Sequence, residues 1–580
     1  MSCRFRRFRR GLLVALVGML IAAAMPLMAA PPATASGNGQ SVRPAMGWSS
    51  WSFVRRWPTE DKIKAQADAM VSSGLVNHGF VYVNLDDFWQ KCDANGFVVD
   101  SYGRWSVDPA KFPSGIKALA DYIHSKGLKF GFYVTPGIAK NAVLKNTPIE
   151  GTAYHAADIA NTAALEKNYN CKNMYYIDYG KPGAQEFVDS WARQFASWGV
   201  DYLKIDGVGS ADIPDVRAWD KALRATGRPI NYALSNNLAI ADAPTWRSLA
   251  NSWRTQGDVE CYCGSGSNGS GYPLTDWSHV SARFTSAANW QQYASPGGWN
   301  DLDSLEIGNG DQAGLTSDQR RSHFTLWAMA GAPLLLGTDL THLDPVDTAM
   351  LTNDRLIGVD QDGYAAGRIV SSGVNQVWSK REDSGDYVVA LFNTGTSGDS
   401  TVSVNWSQVG FTGSGDVTDL WSGSHKGTVT DTYSATLRPG ETRLIRVTPL
   451  GAKTVRYQAE NAGTSAGSTV DTNHIAYTGT GFVNTANEAG AYVEWTVDSA
   501  TARTAPLTIR YANGTTTGRP MDVSVNGAVV SAGRAFNDTG SWDIWADSTL
   551  TVPLNAGANT IRVTATTAGG APNLDHLDRG

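Results

Sequence analysis

Asp206 ends the run Val200-Asp201-Tyr202-Leu203-Lys204-Ile205-Asp206, whose apolar residues mark a buried strand. A charge at such a place is costly unless it faces a polar cleft. Lys204 lies two residues earlier, so it points to the same face, where its ammonium would hold Asp206 ionised. The couple serves equally as a structural ion pair or as an activated carboxylate. In the second case it is half of what a retaining glycoside hydrolysis needs: one carboxylate attacks the anomeric carbon, and another protonates the departing oxygen and later activates water. Asp86, Asp87, Arg254, Asp258 and Asp303 sit at or just beyond the ends of other apolar runs and supply candidates for the rest.

Such groups must be delivered to one place by the elements that carry them. Short runs rich in Val, Ile, Leu and Tyr predict strands at 44–47, 80–86, 129–135, 200–206, 230–235, 251–254, 297–303 and 334–337. Between them, apolar residues recurring at three and four predict helices, as at 60–73, 116–125 and 184–198. Eight strand–helix alternations in some 300 residues read as a (β/α)8 barrel, the fold class expected here, and in that fold the C-terminal ends of the strands carry the chemistry. Beyond 344 the helical pattern fades. Period-two segments at 376–381, 387–393, 401–406 and 442–447, between Gly- and Ser-rich turns, predict an antiparallel β-sandwich domain over 344–449. Residues 450–454 read as a linker, and short Thr- and Val-rich strands over 455–580 predict a further β-sandwich.

The chain of 580 residues is long enough for several cores, and its net charge of −6, with acids and bases interspersed, offers no basic stripe for a phosphate backbone. Nucleic acid is therefore excluded as a partner. The 20 Trp and 21 Tyr are many, and flat apolar faces with a polar edge suit sugar rings as well as cores. Arg4, Arg6, Arg7, Arg9 and Arg10 precede an apolar run, and Ala33-Thr34-Ala35 closes it, so residues 1–35 read as a signal peptide and the protein as secreted, with no membrane contact after cleavage. Cleavage removes Cys3 and leaves Cys92, Cys171, Cys261 and Cys263, for which one or two disulfides in any of three connectivities are open. The oligomeric state is not legible.

The run Trp198-Gly199-Val200-Asp201-Tyr202-Leu203-Lys204-Ile205-Asp206-Gly207 resembles the nucleophile motif of glycoside hydrolase family 27, the α-galactosidases and α-N-acetylgalactosaminidases. Four more segments match in order: Met46-Gly47-Trp48-Ser49-Ser50-Trp51, Tyr82-Val83-Asn84-Leu85-Asp86-Asp87-Phe88-Trp89, Trp253-Arg254-Thr255-Gln256-Gly257-Asp258 and Gly297-Gly298-Trp299-Asn300-Asp301-Leu302-Asp303. The resemblance implies Asp206 as nucleophile, ionised, and Asp258 as general acid/base, protonated at working pH, with no cofactor for catalysis. It implies that Lys204 and Arg254 contact the sugar or the nucleophile and that Asp86 and Asp87 accept from the axial and primary hydroxyls. Trp51 and Tyr133 would wall the ring, Ser235 would lie near the sugar's second carbon, and Asp303 would close the pocket. Departures loosen the substrate: Val208 and Phe88 stand where the family has Cys, so Cys171 pairs otherwise or stays free. Tyr232-Ala233-Leu234-Ser235-Asn236-Asn237 lacks the usual Glu-Trp-Pro, and residues 259–273 are an insertion.

The last domain, from Tyr457-Gln458-Ala459-Glu460-Asn461 to Asn573-Leu574-Asp575-His576-Leu577, resembles a carbohydrate-binding module of family 35 or 6. That resemblance implies a structural calcium on Gln458, Glu460 and Asp575, and a sugar contact at Asn573 with Trp542 or Trp545 as stacking face. The expected activity is release of terminal α-D-galactose from an oligo- or polysaccharide. Isomalto-dextranase-like or β-L-arabinopyranosidase activity is the alternative on the same scaffold, and a lectin-like protein is the alternative without catalysis.

Overall fold

The computed structural model describes residues 38–166, 168–264 and 271–580; the expected signal segment lies outside the described residues. Eight parallel strands form one curled sheet: β1 (Met46–Ser49), β2 (Tyr82–Asn84), β3 (Lys129–Val134), β4 (Tyr202–Ile205), β5 (Asn231–Leu234), β6 (Ser252–Arg254), β7 (Trp299–Asp301) and β8 (Leu334–Leu336). β8 pairs with β1, and a parallel bridge between Leu305, just after β7, and Leu336 closes the ring. This is the expected (β/α)8 barrel. Neighbouring strands pack closely where glycine permits: a Cβ on Gly47 would lie 2.3 Å from the Tyr82 carbonyl, and one on Gly131 would lie 1.8 Å from the Asn84 side-chain Oδ1.

The helices around it are α1 (Glu60–Ser72), α2 (Ile116–Ser125), α3 (Ala184–Trp198), α4 (Ile213–Ala225), α5 (Ala243–Leu249), α6 (Trp277–Trp290), α7 (Ser317–Ala330) and α8 (Asp354–Asp360). In α3 the buried Phe187, Val188, Trp191, Ala192 and Phe195 form the stripe turned to the sheet, and left-handed glycines at 183 and 199 flank the helix. α7 opens on a capping box between Thr316 and Gln319. Helix also continues past 344, where the sequence pattern fades: Pro345–Leu351 is capped by Asp344 and α8 by Asn353. These are helices of about two turns started by caps, too brief for periodicity to register.

A small antiparallel sheet between β3 and α3, made of Ile138–Ala139, Ala160–Glu166 and Met174–Ile177, was not expected from the sequence. Its edge strand Ala160–Glu166 leaves Asn161 through Leu165 exposed, so it lacks the apolar alternation of a half-buried strand. The Cys92–Cys171 disulfide lies in this region and resolves the pairing of Cys171; Cys261 and Cys263 bridge each other.

Beyond the barrel, a six-stranded antiparallel sheet and the pair Ser400–Asn405 and Thr432–Leu437 enclose a core of Val377, Val389, Leu391, Val402, Val404 and Trp406. The other face of the large sheet supplies Trp378, Ala390, Phe392 and Leu444 to the core of the barrel itself. The C-terminal part is a sandwich of a six- and a five-stranded sheet around Trp495, Ile509, Phe536 and Ile561. Asp578 joins it to the preceding domain by binding Arg381 at 2.9 Å, while Arg456 of its own domain holds the same carboxylate at 2.9 Å. Gln458 Nε2 donates to Tyr364 Oη at 2.7 Å.

Candidate active site

The C-terminal ends of β2, β3 and β4 bring together residues far apart in sequence. Lys204 is in register with Tyr133 of β3, and the Asp206 N–H reaches the Val134 carbonyl at 2.9 Å, so the chain just past β4 is pinned to its neighbour. Tyr133 Oη donates to Asp206 Oδ2 at 3.3 Å, and the Gly207 N–H donates to Oδ1 at 2.8 Å. Lys204 makes its hydrogen bond elsewhere: Nζ donates to Asp86 Oδ2 at 2.7 Å. Its effect on Asp206 is therefore through charge alone. Burial works to lower the Lys204 ammonium, but the charges of Asp86 and Asp206 outweigh it and hold the group raised and protonated.

Asp86 and Asp87 are buried side by side. Asp86 receives the Asp87 N–H on Oδ1, and its own N–H donates to Ser50 Oγ at 2.8 Å. Burial raises its carboxyl, against the pull of Lys204. Burial pushes Asp87 up to about 7, although the Phe88 N–H and Gln90 donate to Oδ1. Asp87 Oδ2 is a buried acceptor without a hydrogen-bond partner, on a residue that lines the cleft.

Asp258 stands on the loop after β6. Arg254 donates to it at 3.1 Å and pairs with Asp303 at 2.8 Å, and Asp303 Oδ2 also accepts the Val259 N–H at 2.7 Å. Tyr262 Oη donates to Asp258 Oδ2 and accepts the Trp51 indole N–H at 3.0 Å. Burial alone would raise Asp258, but the Arg254 charge, the Tyr262 hydrogen bond and the Lys204 charge carry it down to about 2. The donors that converge on Asp258 favour its carboxylate form, and sequence spacing did not show them.

These groups line a cleft of about 380 Å³ walled by Trp51, Phe88, Tyr133, Tyr169 and Tyr262, with Asp86, Asp87, Lys204, Asp206 and Asp258 opening into it. Ser235, Arg254 and Asp303 lie beneath, around a smaller cavity of about 40 Å³ inside the barrel. Asn236, rather than Ser235, reaches the main cleft. Sequence reasoning missed Phe88, Tyr169, Asn236 and Tyr262 as lining residues. Backbone marks three of them: Phe88, Asn236 and Tyr262 hold φ of 72°, 145° and 51°, left-handed values that non-glycine residues adopt only when their surroundings impose them. Also missed are Glu260 and Glu306, buried below the loop; Ser52 Oγ donates to Glu260, and burial raises both carboxyls.

In the C-terminal domain, Gln458 Oε1 and Asp575 both accept from Thr478, and Glu460 Oε1 accepts the Thr480 N–H, so the three expected oxygen donors gather on one loop. Glu460 Oε2 is buried without a partner, as a hard cation would leave it, while Asp575 is already bound to Arg510 and His576. Trp545 is committed to the domain, its N–H on the Ile475 carbonyl at 2.7 Å and its face under Arg510. Trp542 stacks on His474 with centroids 6.2 Å apart, and Asn573 is buried on its strand.

The family model of alpha galactosidase A matches residues 44–164 and 167–362, and that of the alpha galactosidase C-terminal beta sandwich domain matches 372–447. The family 6 carbohydrate binding module matches 458–579. An alpha-galactosidase of Cyamopsis tetragonoloba is 34% identical over 420 residues, which are 71% of this chain and 88% of that protein. A GH27 β-L-arabinopyranosidase from Geobacillus stearothermophilus superposes with a TM-score of 0.64 at 31% identity, over 72% of this chain and 99% of that one. Alpha-galactosidase I from Mortierella vinacea superposes with a TM-score of 0.56 at 28% identity, over 71% of this chain and 98% of that one.

Proposed function

This chain belongs to the alpha galactosidase A family, glycoside hydrolase family 27, and on that premise we propose that it releases terminal α-D-galactose with retention, through Asp206 as nucleophile and Asp258 as acid/base. It is a glycoside hydrolase of the α-galactosidase type, and its substrate is a saccharide. The observation that carries the mechanistic reading is the meeting of Asp206 and Asp258 across one cleft, each with its own donors.

Asp206 attacks the anomeric carbon while Tyr133 and the Gly207 N–H fix the carboxylate's orientation, so that little reorganisation is left to the reaction. Asp258 passes its proton to the leaving oxygen. In the second half it takes a proton from water, which then opens the glycosyl ester on Asp206. The low proton affinity imposed by Arg254 and Tyr262 suits the carboxylate form of that second step. It also limits the first step to acidic conditions, where the protonated form is populated, and turnover declines as pH rises.

For the sugar, the unpartnered Asp87 Oδ2 favours galactose, whose primary hydroxyl would satisfy it; L-arabinopyranose lacks that group. Likeness to the Geobacillus enzyme keeps β-L-arabinopyranosidase activity as the second reading. Paired assays of nitrophenyl α-galactoside and β-L-arabinopyranoside separate the two. Proton NMR of the first-formed product tests the mechanism: an anomer opposite to the substrate's rejects retention and the role of Asp206.

Gln458, Glu460 and Asp575 are an all-oxygen donor set that would hold a calcium and brace the C-terminal module. A chelator should then lower the melting temperature of the native protein, and an unchanged melt rejects the site. Among the described residues, no helix is long and apolar enough to cross a membrane. The Arg-rich start and the apolar run behind it support export, tested by N-terminal sequencing of protein from the medium, with Ser36 expected first.

A further inference from the structure

Asp258 lies on a loop and keeps 41% of its side chain exposed, so no strand holds its carboxyl in place. Two donors do. Arg254 binds one oxygen and Tyr262 the other. A tyrosine hydroxyl has one proton to donate; the Trp51 indole N–H occupies a lone pair of Tyr262 Oη, and the proton is left for Asp258. The ring of Tyr262 carries the Arg55 guanidinium at 4.4 Å from its centroid, and Arg55 is itself buried. Tyr262 stands between Cys261 and Cys263, which are joined to each other, and the Cys261 N–H is tied to the Leu274 carbonyl at 3.1 Å. A residue that is neither glycine nor asparagine is thereby kept left-handed, with its hydroxyl turned to the cleft.

We propose that Tyr262, clamped by the Cys261–Cys263 bridge, is a positioning residue that orients Asp258 and sets its readiness to give up a proton. This deepens, and rests on, the reading of Asp258 as acid/base. The other groups facing Asp258 are Arg254 from β6, Lys204 from β4, Arg283 from α6, Asp303 beyond β7, Glu260 on its own loop and Tyr169 from the excursion before α3. The three cations favour the carboxylate and the two acids oppose it. All of them stay in place when only the phenolic oxygen is removed.

Tyr262→Phe keeps the ring, its contact with Arg55 and the wall of the cleft, and deletes one hydrogen bond to the charged form. The basic limb of the pH profile of kcat/KM, measured on a galactoside with a poor leaving group, should move up by about one pH unit. Turnover of a dinitrophenyl galactoside should move far less at the same pH, because its departure needs no proton. Cys261→Ser/Cys263→Ser, which frees the loop but keeps the phenol, should shift the same limb upward. A basic limb unmoved in Tyr262→Phe, with Asp258→Ala still sparing activated leaving groups, overturns the proposal and leaves Asp258 as acid/base. An Asp258→Ala variant equally slow on poor and good leaving groups overturns the reading beneath it. A wild-type limb in the double Cys variant removes the bridge from the proposal.

Discussion

Donors decide what each carboxylate of the cleft is able to do. Asp206 has a phenol and a backbone N–H, whereas Asp258 has a guanidinium and a phenol, and the two should respond differently to deletion. Asp206→Ala should lose at least about a thousandfold in turnover on every substrate, with azide or formate restoring part of it and giving the inverted product. Asp258→Ala should cost about a hundredfold or more on natural galactosides and little on substrates with acidic leaving groups, as rates across a series of aryl galactosides will show. Both residues were legible because each sits in a contiguous motif. The Lys204–Asp86 bond was not, since it spans 118 positions and chooses between two acids that spacing along one strand cannot rank. Tyr262 was hidden for a related reason. It lies in an insertion outside the family's pattern, and its only local mark is a pair of cysteines whose partners the sequence left open.

Among the elements, all eight strands and the three helices given bounds, at 60–73, 116–125 and 184–198, were read to within a few residues, because burial on one face writes a period into the chain. Segments that bury little, such as the sheet before α3, write none. Close packing between strands makes its own prediction. Gly131→Ala in β3 would drive a methyl into Asn84 and should cost about 1–3 kcal/mol, seen as a lower midpoint in urea unfolding. Asp215 in α4 accepts Tyr179 Oη at 2.9 Å and the Gly137 N–H at 3.2 Å, tying the helix to the excursion, and burial pushes its carboxyl up to about 7. The folded protein therefore keeps a proton that the unfolded chain releases, and this contribution to stability is lost as pH rises from about 4 through 7. Asp215→Asn accepts the same two bonds without titrating. It should melt above the wild type at pH 7.5 and lose that advantage at pH 4.5.

At the scale of the molecule, every group proposed for catalysis comes from residues 51 to 303, while the C-terminal sandwich holds the domain before it through Asp578 and Gln458. A chain ending at 449 should hydrolyse a small galactoside at nearly the full rate, bind polymer less, and melt lower because Tyr364, Asp383 and Arg381 lose partners. Loss of turnover on the small substrate in a folded truncation would place the last domain in the catalytic unit. The sequence shows five residues between the two β domains and suggests a tether; the bonded pairs that cross the junction, Gln458 with Asp383 and Arg381 with Asp578, join residues 75 and 197 positions apart and could not be read from it. Those pairs turn an anchor into a bracket. When the module grips a polysaccharide, the cleft can visit only the branches within a fixed footprint around that grip, and reaching the next ones requires letting go. Grazing on a polymer surface would then be paced by how quickly the module releases, so that a tighter-gripping module would slow the clearance of a densely branched polysaccharide instead of speeding it.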